Sequence, residues 1–197
     1  MKRLFMDTEF TGLHMDTNLI SIGLIDDYNN EFYAEFPMDF SNLDQWIIDN
    51  VVSNLLYQKE NKFFNVSYKH DTVNHKYSIH MKDSPANIAF ELKRWLEEIA
   101  GNDKVEIWSD CLAYDWVLFN NLFGGAFDIP SCVYYIPFDI CTLFKINNID
   151  PDISREKFCE RIIPMEANQK HNSLHDAKII RGCYNILTES FIVREED

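Results

Sequence analysis

Positive charge is what this 197-residue chain has least of: 18 Lys and Arg stand against 32 Asp and Glu, a formal net charge of −14. That deficit argues against a protein that grips long nucleic acid by neutralising many phosphates, because such binding is built from numerous Lys and Arg contacts. It leaves room for an enzyme that holds only a strand end through divalent ions, which reverse the local charge. Long apolar runs are also missing. None approaches the roughly 18 to 20 residues of a membrane span, and Met1-Lys2-Arg3 leads into neither a signal-peptide core nor a small-residue cleavage site, so a cytoplasmic protein with no membrane partner is expected. The five cysteines (Cys111, Cys132, Cys141, Cys159, Cys183) form no Cys-x-x-Cys pair and are odd in number, which points to reduced, mostly buried thiols. His70, His75 and His80 lack the helical spacing or cysteine partners of a zinc site. With no internal repeat, low-complexity tract or domain boundary, residues 1–197 read as a single domain.

What is present is patterned. Leu4 to Phe10, Asn18 to Asp26 and Glu31 to Phe36 read as strands, with turn chemistry at Asp27-Tyr28-Asn29-Asn30, so the first three strands should be consecutive and antiparallel. Leu43 to Leu56 reads as a helix capped by Ser41 or Asn42, with Trp46 expected in the core rather than as a base-stacking platform. Residues 57–83 read as a polar insertion or loop with short β-like pieces at Phe63 to Tyr68 and Lys76 to Met81. Its lysines and aromatics would suit single-stranded nucleic acid, or simply a polar connector. Ser84-Pro85 starts a helix whose stripe of Ile88, Leu92, Trp95, Leu96 and Ile99 ends at Ala100-Gly101. Val105 to Ser109 follows as a central strand, then a helix from Asp115 to Phe123 and a strand from Cys132 to Ile136. Helices are expected at Asp139 to Ile146 and Ser154 to Ile162, and a long one from Ser173 to Phe191 with Leu174, Ala177, Ile180, Tyr184, Leu187 and Phe191 facing the core. The order predicts an α/β layer fold with a mixed central sheet flanked by helices.

The chemistry begins in Leu4-Phe5-Met6-Asp7-Thr8-Glu9-Phe10-Thr11-Gly12-Leu13. On a strand, Asp7 and Glu9 share a face and repel unless a cation lies between them; hard divalent ions prefer such oxygen ligands, and Thr11-Gly12 lets the backbone turn close to a ligand. Chance alone places about one Asp-x-Glu in a chain this acidic, so the motif needs partners. Two segments supply them. Trp108-Ser109-Asp110-Cys111-Leu112-Ala113-Tyr114-Asp115 delivers a carboxylate at the start of a helix, and His171-Asn172-Ser173-Leu174-His175-Asp176 places an imidazole ahead of a helix and an aspartate in its first turn.

Asp-x-Glu, Asp and His-x4-Asp in that order resemble the histidine-containing DEDD (DEDDh) class of 3′-to-5′ exonucleases. The Asp-Thr-Glu-Phe opening, the Leu-Ile-Ser-Ile-Gly strand, Glu106-Ile107-Trp108 with Ala113-Tyr114-Asp115, and His171 with Asp176-Ala177 look most like its bacterial polyadenylate-specific exoribonuclease (RNase AS) branch. One departure is Cys111, where the class usually has asparagine. The resemblance implies a ribonuclease H-like fold and two divalent ions, Mg2+ or Mn2+. Asp7 would bridge both, Glu9 and Asp176 would complete the site of the attacking water, Asp115 would hold the second ion, and His171 would be the general base. Asp115 is preferred to Asp110, and His171 to His175. Phe10, Thr11, Gly12 and Leu13 would seat the terminal nucleotide, unless Phe10 and Leu13 are merely core. Asp139 matches a recurrent acidic position and receives no role. The expected activity is release of nucleoside 5′-monophosphates from single-stranded RNA ends, with RNA favoured over DNA and a homodimer as the assembly that related exoribonucleases suggest. A DNA exonuclease of the same class and a non-catalytic nucleic-acid-binding module are the alternatives.

Overall fold

The longest strand, β1 (Lys2–Phe10), has neighbours on both sides, antiparallel β2 (Leu19–Asp26) and parallel β6 (Val105–Ser109). The computed structural model of the chain describes residues 1–57, 64–71, 76–163 and 170–192. In it β3 (Glu31–Glu35), β4 (Phe64–Asp71), β5 (Lys76–Lys82) and β7 (Phe138–Asp139) complete one mixed seven-stranded sheet ordered β4-β5-β3-β2-β1-β6-β7. The first three strands pair antiparallel, as their alternation and turn residues predict.

Helices cover both faces. On one side α2 (Pro85–Ala100) and α3 (Ala113–Leu122) pack on the even-numbered residues Leu4 and Met6 of β1, together with Ile22, Leu24 and Ile107. On the other, α4 (Ile140–Ile146), α5 (Arg155–Cys159) and the long α6 (Ser173–Ile192) pack around Phe5 and Ile25. Ser84 caps α2 by accepting from Asn87 N–H, proline follows at the first helical position, and Ile88, Leu92, Trp95, Leu96 and Ile99 are all buried, as the stripe requires. Leu174, Ala177, Ile180, Tyr184 and Leu187 of α6 are buried too; the side chain of Phe191 lies outside the described residues. No helix among the described residues is long and apolar enough to cross a membrane.

Four expectations need correction. The helix expected from Leu43 is only α1 (Gln45–Asn50) followed by a 3-10 turn at Val52–Asn54, because Asp44, not Ser41 or Asn42, accepts the first free N–H, from Trp46 at 2.8 Å. The β-like pieces of the 57–83 stretch are sheet strands, β4 and β5, with β5 parallel to β3; the side chains of Lys59, Lys62, Phe63, Phe64, Tyr68, Lys69, His70, His75 and Lys76 lie outside the described residues. Cys132 to Ile136 is not a strand but a single bridge from Val133 to Val105. The cysteines are not mostly buried: Cys159 and Cys183 are, Cys132 and Cys141 are partly so, and Cys111 is exposed.

Candidate active site

Alternation along β1 sends Asp7 and Glu9 to the same face as Phe5, where α6 packs. Across the ladder, Gly23 of β2 pairs with Asp7 and Ser21 with Glu9. A Cβ at Gly23 would overlap the backbone of Ser173 and Leu174, so the missing side chain is what lets the first turn of α6 rest on the sheet. A buried hydrogen bond of 2.9 Å between the Ser21 and Ser173 hydroxyls fixes that approach. Asp176, in the same turn, is thereby delivered beside the β1 carboxylates. His171 precedes the helix in a left-handed conformation (φ 62°), and its backbone N–H donates to Asp176 Oδ2 at 3.0 Å. Donor atoms of Glu9, His171 and Asp176 all lie within 4.8 Å of one another.

Asp115 arrives from the opposite layer, in the first turn of α3. Thr8, pointing away from Asp7 on the strand, donates its N–H (2.9 Å) and its hydroxyl (2.7 Å) to the same Asp115 oxygen, Oδ1, which leaves Oδ2 for the cleft. Asp110 also lines the cleft, but its carboxylate is taken up in a two-pronged pair with Arg155 at 2.8 and 3.0 Å. Asp139 caps α4 by accepting from Cys141 N–H at 2.7 Å and also holds Leu112 N–H at 3.3 Å, a structural task the sequence did not disclose.

Asp7, Glu9, Asp115, His171 and Asp176 line one cleft of about 810 Å³, together with Phe10, Thr11, Gly12 and Leu13. Leu13 is 76 % exposed and Phe10 stacks on Tyr114 with ring centres 5.5 Å apart, so neither belongs to the core. Trp46, expected in the core, is instead 54 % exposed on the opposite wall, its ring edge-on to that of His171 at 5.1 Å. The short α1 is the reason: its inward positions go to Ile47 and Val51, and Trp46 is turned to the cleft. Asn54 then ties this wall to the histidine loop, donating to Lys170 O at 2.7 Å and accepting from Asn172 at 3.1 Å. His175 does not line the cleft.

The electrostatics are lopsided. Burial, then the charges of Asp115, Asp176 and Glu9, pushes the Asp7 carboxyl well above the ordinary range. Burial followed by Asp176 and Asp115 raises Glu9 to about 8; burial raises Asp176 to about 7 against the His171 N–H bond that lowers it, and Asp115 to about 6 against its bonds from Thr8. His171 is shifted down, first by burial and then by Lys170. Among the described residues no lysine or arginine forms an ion pair with any of the four acids. Four crowded carboxylates without a cationic partner are the donor set a hard divalent ion takes, so Asp7, Glu9, Asp115 and Asp176 fit such ions. Thr8, Gly23, Trp46, Asn54 and Ser173 were not singled out as site residues from sequence. Only the strand Leu-Ile-Ser-Ile-Gly signalled one of them, by placing a glycine opposite an acid.

The sequence model of the family described as the 3′-5′ exoribonuclease Rv2179c-like domain matches residues 2–187. Among curated proteins none matches the chain. A similar solved structure is the Neurospora crassa Pan2 catalytic unit, a protease and nuclease domain, at 14 % identity and a TM-score of 0.52; the match covers 98 % of this chain and 28 % of the Pan2 chain. That likeness concerns the fold, which is ribonuclease H-like, and this chain spans little more than a quarter of the length of its solved relative. By the family match over residues 2–187, the chain belongs to the 3′-5′ exoribonuclease Rv2179c-like domain family.

Proposed function

We propose that this chain removes nucleoside 5′-monophosphates one at a time from the 3′ ends of single-stranded RNA, in the manner of the polyadenylate-specific branch, with two Mg2+ or Mn2+ ions held by Asp7, Glu9, Asp115 and Asp176. The observation that carries the reading is the convergence of those four carboxylates, raised in pKa and unpaired among the described residues, in one cleft beside an imidazole. When bound, the ions supply Lewis acidity toward the scissile phosphate and the departing 3′ oxygen.

The chain's own residues do the rest. His171, kept neutral near pH 7 by its lowered pKa, accepts the proton of the attacking water. The peptide N–H of His171 on Asp176, and the Thr8 bonds on Asp115, hold those two carboxylates in fixed orientation, which favours a single geometry of attack. The Phe10–Tyr114 pair and Trp46 flank the cleft from two sides and suit the faces of unpaired bases, whereas bases within a duplex are already stacked on both faces. Gly12 (φ 154°) turns the backbone at the cleft mouth, its N–H held by Thr17 Oγ1 at 3.2 Å.

The test is a 5′-labelled RNA and a DNA of the same sequence, each with Mn2+ or Mg2+. A ladder shortening from the 3′ end of the RNA, abolished by EDTA and suppressed in His171→Ala with RNA binding retained, is the expected result. Activity that survives EDTA, or equal digestion of the DNA, overturns respectively the metal dependence and the RNA preference.

A further inference from the structure

Beside the cleft lies a second constellation that the nuclease chemistry does not use. Cys111, exposed and lining both the main cleft and an adjoining pocket of about 380 Å³, has its Sγ 3.5 Å from Sγ of Cys141. Thirty residues apart in sequence, the two thiols are brought together because Cys111 occupies the turn between β6 and α3 while Cys141 opens α4. The turn is tight: Cys111 is left-handed (φ 51°), and its carbonyl accepts from Ala113 N–H at 2.7 Å. Cys141 Sγ–H donates to Asp110 Oδ1 at 3.1 Å, and an Arg155 nitrogen approaches the same sulfur at 3.3 Å. The Arg155 guanidinium is itself held 4.4 Å above the Phe144 ring.

We propose that Cys111 and Cys141 form a reversible modification site, a disulfide made by exchange with a small-molecule disulfide such as oxidised glutathione, and that its closure slows the nuclease. Exposure gives Cys111 the first attack: its thiolate displaces one glutathione thiolate and leaves a mixed disulfide on Cys111. Cys141 then attacks the Cys111 sulfur and expels the second glutathione thiolate. The Cys141 proton passes by way of Asp110, on which it already rests, to the departing thiolate, while the first thiolate takes up the proton that Cys111 gave to solvent. One small disulfide is reduced to two thiols and one protein disulfide is formed, so electrons and protons balance. Burial and the Asp110 charge hold the Cys141 thiol protonated until that second step. The other neighbouring thiols, Cys159 and Cys183, are fully buried in the α5–α6 layer and closed to the reagent.

Closing the bond takes the sulfurs from 3.5 Å to about 2.05 Å. The movement falls on the turn that leads into α3, four residues before Asp115, while Asp139 pins both sides of it through Leu112 and Cys141. A displacement on the order of an ångström at a catalytic carboxylate is enough to cost about tenfold or more in rate.

The experiment exposes the reduced full chain, in EDTA, to oxidised glutathione, blocks remaining thiols, and maps the products by intact mass and peptide analysis. The expected product has lost two hydrogen atoms and yields a Cys111–Cys141 linked peptide, reversed by dithiothreitol. Cys141→Ser, whose hydroxyl can keep the contacts with Asp110 and Arg155, should instead accumulate a stable glutathione adduct on Cys111. A wild-type product that keeps glutathione on Cys111, or a link joining other cysteines, overturns the assignment. With reagents removed and Mn2+ added, the oxidised chain should degrade RNA at about a tenth of the reduced rate and recover with dithiothreitol; equal rates overturn the coupling. Because the mapping needs no catalysis, failure of the disulfide and failure of the proposed nuclease mechanism are separately visible.

Discussion

The two ends of the β1–β2 pair are both rich in acid and are treated in opposite ways. At one end Asp27 pairs with Arg3 at 2.8 Å, Glu31 with Lys178 at 3.0 Å, and the Asp26 side chain takes N–H groups from Tyr28 and Asn30 while its carbonyl holds Arg181 at 2.7 Å. At the other end Asp7, Glu9, Asp115 and Asp176 gather with no such cation among the described residues. Both ends are reached by α6, which brings Asp176 to one and, within two turns, Lys178 and Arg181 to the other. Two cations, Arg155 and Lys170, do stand in the pocket beside Asp7 and Asp176, but their ion pairs are with Asp110 and Glu156 and not with the four clustered acids.

The largest expected effect breaks the unpaired end. Asp7→Asn should lower the nuclease rate by about 10³-fold or more by removing the buried carboxylate on which the charges of Asp115, Asp176 and Glu9 converge, while raising the melting temperature measured in EDTA, because a repelling charge is gone. The second adds the ion proposed for that end. The raised carboxyl pKa values mean that the folded, metal-free chain binds more protons than the unfolded one between about pH 4 and pH 8, so its stability falls as pH rises through that window. Thermal melts in EDTA should therefore be lower at pH 8 than at pH 5. Mn2+ at a hundred times its pH 7 dissociation constant should restore about 2.7 kcal/mol for each ion bound, and the same concentration should shift the melt further at pH 8, where protons compete least.

A smaller effect is expected from Gly23→Ala, which pushes the first turn of α6 off the sheet: about 1–3 kcal/mol lost in denaturant titration, together with a fall in rate as Asp176 moves. The smallest comes from the compensated end. Arg3→Ala removes an exposed pair and should cost under about 1 kcal/mol, with the RNA ladder unchanged. Loss of nuclease activity in that variant would break the comparison between the two ends.

The parts of this molecule that were legible in its sequence are those fixed by local pattern. Alternation set β1, β2 and β3; the Ser84-Pro85 start and the Ile88 to Ile99 stripe set α2; and the resemblance of the motif order to the DEDDh class named the acids and the histidine that share the cleft. What escaped depends on contacts remote in sequence. Three polar residues competed to cap α1, and the choice of Asp44 moved Trp46 from an expected core position to the cleft wall. β5 looks polar because it lies near the sheet edge beside β4, although Ile79 and Met81 are buried on one face. Thr8 carries no signal of its own between the two acids, and the arrival of α3 gives its two donors an acceptor. The family match to residues 2–187 bears on membership and leaves the individual roles to the experiments above.

The seat of α6 on β2 also bears on how this chain can change over time. At position 23 the strand has no freedom of its own, since any side chain would collide with the helix backbone that carries the acid of the site. Drift there is closed by a surface on the far side of the sequence, so a replacement at Gly23 would survive only alongside a compensating shift near Ser173 and Leu174. A library randomising residue 23 together with residues 173 and 174 would turn that steric dependence into a measurable pattern of paired substitutions.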